Sequence, residues 1–300
     1  MVTGSTVARF LWVNLSFLPI VVSASLPAIP LAQAQTVSQT AEERLNQGLQ
    51  FVQQGQINEA IAAFRQAAEL NPGLAPAHYN LGLALRQQGQ LQEAATAFYQ
   101  ATQAEPRFAL AFANLGAALL EGNNFDQADD YLERAIALDP NLGLAHYNLG
   151  LVREQQQDWN GAIAAFQRAI ALSPSAPEPH YHLGLVYLQQ EQFEQAATAF
   201  SQAIRVSPNY PEAHYNLGSV QFSQGDFDNA LESFRRAAEA NSNYPNAYYG
   251  AGLVFIQQRQ YASAERVLQY AKDLFTAQGQ PQWAQNAEQL LEQAQSFAEQ

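Results

Sequence analysis

The chain has no cysteine, one lysine (Lys272) and no methionine beyond Met1. The missing cysteine excludes disulfides, thiolate metal sites, a cysteine nucleophile and a lipidated N-terminal cysteine, and it suits an oxidising compartment. Cations are scarce: 14 Lys and Arg stand against 27 Asp and Glu, a formal net charge of −13. Nucleic acid needs a basic footprint to neutralise its phosphates, and an anionic membrane surface needs one too, so neither partner is expected. Runs rich in Val, Ile and Thr are few, which argues against a large sheet. The sequence holds no HExxH pair, no G-x-S-x-G elbow and no phosphate-binding glycine loop.

What is abundant is alanine, glutamine and leucine in a chain 48% hydrophobic and 14% charged. That mix favours helix and supplies ample core. Residues 1–34 are different. They carry Arg9 and no acidic residue, then a short apolar stretch from Phe10 to Val22, then small residues ending Ala32-Gln-Ala34. Basic, apolar and small in that order is the layout of a secretory signal peptide. Cleavage before Gln35 is expected, with Val22-Ser-Ala24 as an alternative point, followed by a linker over 35–40. The other reading is an uncleaved signal anchor, the one case in which a membrane would be involved.

From residue 41 the sequence repeats every 34 residues without slippage. Glycine marks the phase at Gly48, Gly82, Gly116, Gly150, Gly184, Gly218 and Gly252. Alanines at Ala60 and Ala67 and a bulky apolar residue at Phe64 recur in the same register through Ala264, Ala271 and Leu268. Proline closes five units, from Pro72 to Pro208, and is replaced by Ser242 and Thr276. The seven units are 41–74, 75–108, 109–142, 143–176, 177–210, 211–244 and 245–278. Unit positions 4, 7, 8 and 11 form one helical stripe. Glycine in a helix costs about 1 kcal/mol relative to alanine, so close helix–helix approach is expected at position 8. Each unit is a helical hairpin that buries its apolar faces only by stacking on its neighbours. Residues 279–300 read as a capping helix, with Trp283, Ala287, Leu290, Leu291, Ala294 and Phe297 on one stripe.

The period, glycine at position 8, alanines at 20 and 27, the large residue at 24 and proline at 32 resemble the tetratricopeptide repeat (TPR) family. The resemblance covers 41–278 and implies an all-α fold, a right-handed superhelix of seven helical hairpins plus the cap. One departure is position 4, where the family usually has tryptophan and this chain has His78, His146, His180 and His214.

Four histidines in step suggest a row of ligands, but the pattern argues otherwise. The same position holds Arg44, Phe112 and Tyr248, so it selects mainly for a flat ring. A metal needs three or four ligands converging on one point, and equivalent side chains on stacked repeats run parallel. Neither a metal nor another cofactor is expected, and no catalytic residue is assigned.

The resemblance assigns positions 2, 5, 9, 12 and 13 to a concave groove lined by the first helices. Position 5 supplies Tyr79, Tyr147, Tyr181, Tyr215 and Tyr249, and position 9 supplies Leu151 and Leu185. At the edge, position 6 supplies Asn80, Asn114, Asn148, His182 and Asn216. Tyrosine offers rigid apolar area with a hydroxyl, and asparagine can pair with an extended backbone. Ala113 and Ala117 are expected to leave a gap in this surface at the third unit. The clamp some relatives use for acidic chain termini needs Lys at position 5 and Asn at 9, and no unit here has either. The reading is a non-enzymatic scaffold, exported to a periplasmic or other extracytoplasmic lumen, binding a protein or extended peptide. The alternative is an envelope assembly factor or holdase with many weak clients. A metal-binding or enzyme-regulatory protein ranks below both.

Overall fold

A computed structural model describes residues 31–298, with side chains from Thr40 onward. The expected leader lies outside the described residues except for its last four, which open the first helix. Fifteen helices and no strand occur among the described residues. The first helices of the units are α1 (Leu31–Gln53), α3 (Ala75–Gln87), α5 (Ala109–Glu121), α7 (Gly143–Gln155), α9 (Pro177–Gln189), α11 (Pro211–Ser223) and α13 (Pro245–Gln257). The second helices are α2 (Ile57–Leu70), α4 (Leu91–Ala104), α6 (Phe125–Leu138), α8 (Trp159–Leu172), α10 (Phe193–Val206), α12 (Phe227–Ala240) and α14 (Tyr261–Ala277). The cap is α15 (Pro281–Ala298). Residues 35–40 are helical and continuous with the rest of α1.

Sequence sets these boundaries locally. From the second unit on, each first helix begins at unit position 1, three of them on a proline whose missing N–H costs nothing there. The second helix opens on the large apolar residue at position 17, from Ile57 to Tyr261. Between them, position 15 takes a left-handed backbone, by glycine at Gly55, Gly89 and Gly225 and by Asn123, Gln157, Glu191 and Arg259 elsewhere. The second helix ends two residues before the proline, because the residue preceding proline is pushed out of the helical region. In the sixth unit the helix stops at Ala240 although Ser242 replaces proline; in the seventh, with Thr276, it runs on to Ala277.

The helix glycines account for the packing. A Cβ on Gly150 would lie 2.5 Å from the Phe166 ring, and one on Gly48 would lie 2.4 Å from Phe64. The ring at position 24 therefore seats directly on the backbone of the partner helix. Phe64, Phe98, Phe166 and Phe200 are fully buried there, each worth about 2 kcal/mol of apolar burial. Each hairpin packs on the next, and α15 closes the stack: Trp283 stacks on Phe275 with ring centroids 5.8 Å apart.

Candidate functional site

The position-4 histidines are structural. His78, His146 and His214 each place Nε2 2.8–3.1 Å from the carbonyl of the proline that ended the previous unit: Pro72, Pro140 and Pro208. Tyr248 makes the same contact through its hydroxyl to the Ser242 carbonyl at 3.2 Å. In these four units a flat ring with a donor ties one unit to the last, while Phe112 supplies the ring alone. His180 makes no such bond; burial holds its pKa below the usual histidine value, with Arg205 adding to the effect.

The first helices present the groove face. Its tyrosines are half-buried, each ring packed on the bulky interior ring of its own unit: Tyr79 on Phe98 at 5.8 Å, Tyr147 on Phe166 at 6.1 Å, Tyr181 on Phe200 at 5.9 Å and Tyr215 on Phe234 at 5.7 Å. Tyr249 packs against Phe275 and Trp283. Leu151 and Leu185 are partly buried beside them.

Three members of the asparagine row, Asn80, Asn114 and Asn216, are engaged within the protein rather than standing free. Asn114 Nδ2 donates to the Tyr79 hydroxyl at 3.2 Å and to the Leu110 carbonyl one turn back at 2.9 Å. Asn216 repeats this with Tyr181 at 3.3 Å and Glu212 at 2.9 Å. Asn80, whose preceding unit has Leu45 and no tyrosine, keeps only the bond to Pro76 at 2.7 Å. Tyrosine in one unit and asparagine 35 residues later form a ladder across the repeats. Two rungs are altered. His182 stands edge-on to Tyr147 and stacks on Phe166, with Nδ1 2.9 Å from Glu154 Oε2. Gly250 leaves Tyr215 without an asparagine, and a Cβ there would lie 2.6 Å from Phe234.

The expected gap at the third unit is closed. Ala113 and Ala117 are 0% and 2% exposed, because their small side chains let α7 pack directly on α5. Asn148, the next rung, has no tyrosine before it. Its Nδ2 is buried without a hydrogen-bond partner, and the residue is 6% exposed.

Two features of the face escape the 34-residue pattern. At position 34, Phe108, Tyr210 and Tyr244 add a second ring beside Tyr79, Tyr181 and Tyr215, at 4.9, 5.0 and 5.8 Å. These rings sit at the junction before each helix, where no helical periodicity marks them; their 29-residue offset from the tyrosines was the available signal. Towards the N-terminus the face exposes Leu49, Leu83, Leu110 and Leu144, at 36–43%.

A solenoid of helical hairpins with ring-on-glycine packing defines the class. Tetratricopeptide repeat profiles match residues 45–109, 181–245 and 221–281, with further matches over 85–149 and 153–191. The chain belongs to the tetratricopeptide repeat family. It is similar to YrrB, a TPR protein described as having an unusual peptide-binding site, at 25% identity and TM-score 0.54, over 65% of this chain and 99% of that one. It is similar to MamA of Desulfovibrio magneticus RS-1 at 26% identity and TM-score 0.52, over 56% of this chain and 96% of that one. PilF of Pseudomonas aeruginosa shares the fold, at 19% identity and TM-score 0.61, over 71% of this chain and 96% of that one. No curated protein matches. The TPR fold is in general a protein–protein interaction scaffold, and its members are typically non-enzymatic.

Proposed function

We propose that this protein is a non-enzymatic scaffold that binds a protein or an extended peptide segment along the face of its first helices. One observation carries the reading: that face leaves Leu49, Leu83, Leu110 and Leu144 exposed at unit positions 2 and 9, and continues into a row of half-buried tyrosines at position 5 of the later units. Aligned exposed apolar side chains favour contact with a partner. The peptide-binding site ascribed to YrrB supports the same use of the fold. The basic–apolar–small order of residues 1–34 supports export, so the partner belongs to an extracytoplasmic compartment.

The test is a photo-cross-linking residue in place of Leu110 or Leu144, followed by capture from envelope material. A discrete set of cross-linked partners, lost when Leu49 and Leu83 become Glu with helicity unchanged, is the expected result. Retention of every partner would defeat the reading. N-terminal sequencing tests export: a native chain starting near Gln35 is expected, and Met1 in a soluble cytoplasmic fraction counts against it. The exposed leucines also favour a second reading, a holdase with many weak clients, in which the cross-linker captures a broad ladder instead of a few bands.

A further inference from the structure

The ring pair at Tyr181 and Tyr210 has two carboxylates within electrostatic reach, where the next pair, Tyr215 and Tyr244, has Glu212 alone. The Tyr181 and Tyr210 rings lie 5.0 Å apart at an inclination of 36°. Tyr147 lies one unit earlier, joined to Tyr181 through His182, which is 5.9 Å from one ring and 5.4 Å from the other. Glu178 is in the first turn of α9 and Glu212 in the first turn of α11. Both carboxylates lie within electrostatic reach of Tyr210, as does Tyr147. Burial first, and Glu178 and Glu154 after it, push the Tyr147 phenol up to about 12. Burial and then Glu212 raise Tyr181.

Among the described residues neither Glu178 nor Glu212 forms an ion pair, and Arg205 on α10 acts on His180. Helices α9, α11 and α13 contain neither Lys nor Arg. Arg153 on α7 is already paired with Asp129 at 3.3 Å and Glu133 at 2.7 Å, and Glu154 with His182. Helix dipoles alone would favour an acid in a first turn. That account does not explain why α3, α5, α7 and α13 have none there. Nor does it explain why the two acids fall beside the added ring at position 34. Aromatic faces attract a cation within about 6 Å of the ring centre, and carboxylates nearby complete its coordination. A guanidinium does both, stacking flat and pairing with a carboxylate through two N–H groups.

We infer that the surface of Tyr147, Tyr181 and Tyr210, flanked by Glu178 and Glu212, holds an arginine or lysine side chain of the partner segment. The inference rests on the groove reading above and gives that segment its chemistry: apolar residues against the leucines of the first units, basic residues against the rings and acids of the fourth to sixth.

The test uses the full chain and labelled short peptides of Leu, Gly and Ser carrying Arg, citrulline or Glu at the same positions, read by fluorescence polarisation. The Arg peptide is expected to bind at least roughly ten-fold more tightly than the citrulline peptide. Glu178→Gln with Glu212→Gln brings the Arg peptide down to the citrulline level. Glu69→Gln with Glu105→Gln, an equal charge change on exposed residues of the α2 and α4 ends, leaves it unchanged. The inference is overturned if Arg and citrulline peptides bind alike, or if both double variants weaken the Arg peptide equally. If all three peptides bind alike and Leu110→Glu abolishes binding, the groove reading stands and only the basic partner is lost. If none binds, both fall.

Discussion

The two halves of the groove face share an interior and differ in what they show. In the first three units and at Leu144 of the fourth, leucines project 36–43% exposed, and the position-5 row of those three units has a single tyrosine, Tyr79. In the fourth to seventh units that row is tyrosine throughout, and Tyr210 and Tyr244 double two of its rings. Between them, at Ala113 and Asn148, the tyrosine–asparagine ladder is interrupted. The difference teaches that fold and recognition are separately encoded here. Positions 8, 20 and 27 are invariant and position 24 is always large and apolar, while positions 2 and 34 vary widely and positions 5, 6 and 9 each change character in two units.

The strongest way to break this comparison is to attack the shared interior in both halves. Phe98→Ala and Phe200→Ala each remove a fully buried ring seated on a helix glycine. Each is expected to cost about 3–5 kcal/mol, nearly equal between the two. Because repeat arrays unfold by neighbouring units, urea midpoints by circular dichroism are the proper readout. A loss confined to one half would show that the interiors are not equivalent.

Alkali should separate the halves. Burial raises Tyr147, Tyr181, Tyr210, Tyr215, Tyr244, Tyr248 and Tyr249 in the later units, but only Tyr79 and Tyr131 in the earlier ones. A phenol with a raised folded-state pKa supports folding fully below its unfolded value, near pH ~10. That support is lost as pH rises through the folded value, about 12 for Tyr147. The later units are therefore expected to unfold first between about pH 10 and 12. Trp159 fluorescence and phenolate absorbance would follow this. Early loss of the first three units would contradict it.

Most of the fold was legible in the sequence because a strict period carries its own checks: glycine at 8 called for a close helix approach, and the large residue at 24 is what seats on it. The groove was less legible. Tyr79 and Asn114 read as two free contact residues, because nothing in a single unit shows that each completes the other across the repeat. Ala113 and Ala117 read as a gap because small side chains leave space between helices of constant separation; here they let α7 close on α5 instead. Asn123, Gln157, Glu191 and Arg259 hid the left-handed turn, which glycine announces only in Gly55, Gly89 and Gly225.

The interrupted rung is testable by one substitution made at three places. Asn114→Leu and Asn216→Leu each strip a donor from a tyrosine hydroxyl and are expected to cost about 1 kcal/mol. Asn148→Leu removes an amide that has no partner, in a similar volume, and is expected to be neutral or stabilising by up to about 1 kcal/mol. A loss at Asn148 matching the other two would mean that its amide is satisfied by a group other than a tyrosine.

The smallest effect concerns the turns on which these hairpins close. Units three, four and five, the ones around the interrupted rung, make the left-handed turn with Asn123, Gln157 and Glu191, at φ of 58–62°. Units one, two and six make it with glycine. A side chain in that region costs free energy that glycine does not, since its Cβ crowds the carbonyl. Gln157→Gly and Glu191→Gly are therefore expected to raise stability by up to about 1 kcal/mol, and Gly89→Ala to lower it by a similar amount. Nothing lies within 4 Å of a Cβ built on Gly89, so a loss there reports backbone conformation alone and not a clash. If the two glycine variants instead lose stability, Gln157 and Glu191 contribute more to the closure of the central units than their backbone costs. The middle of the array would then be held by its turns as well as by its rings.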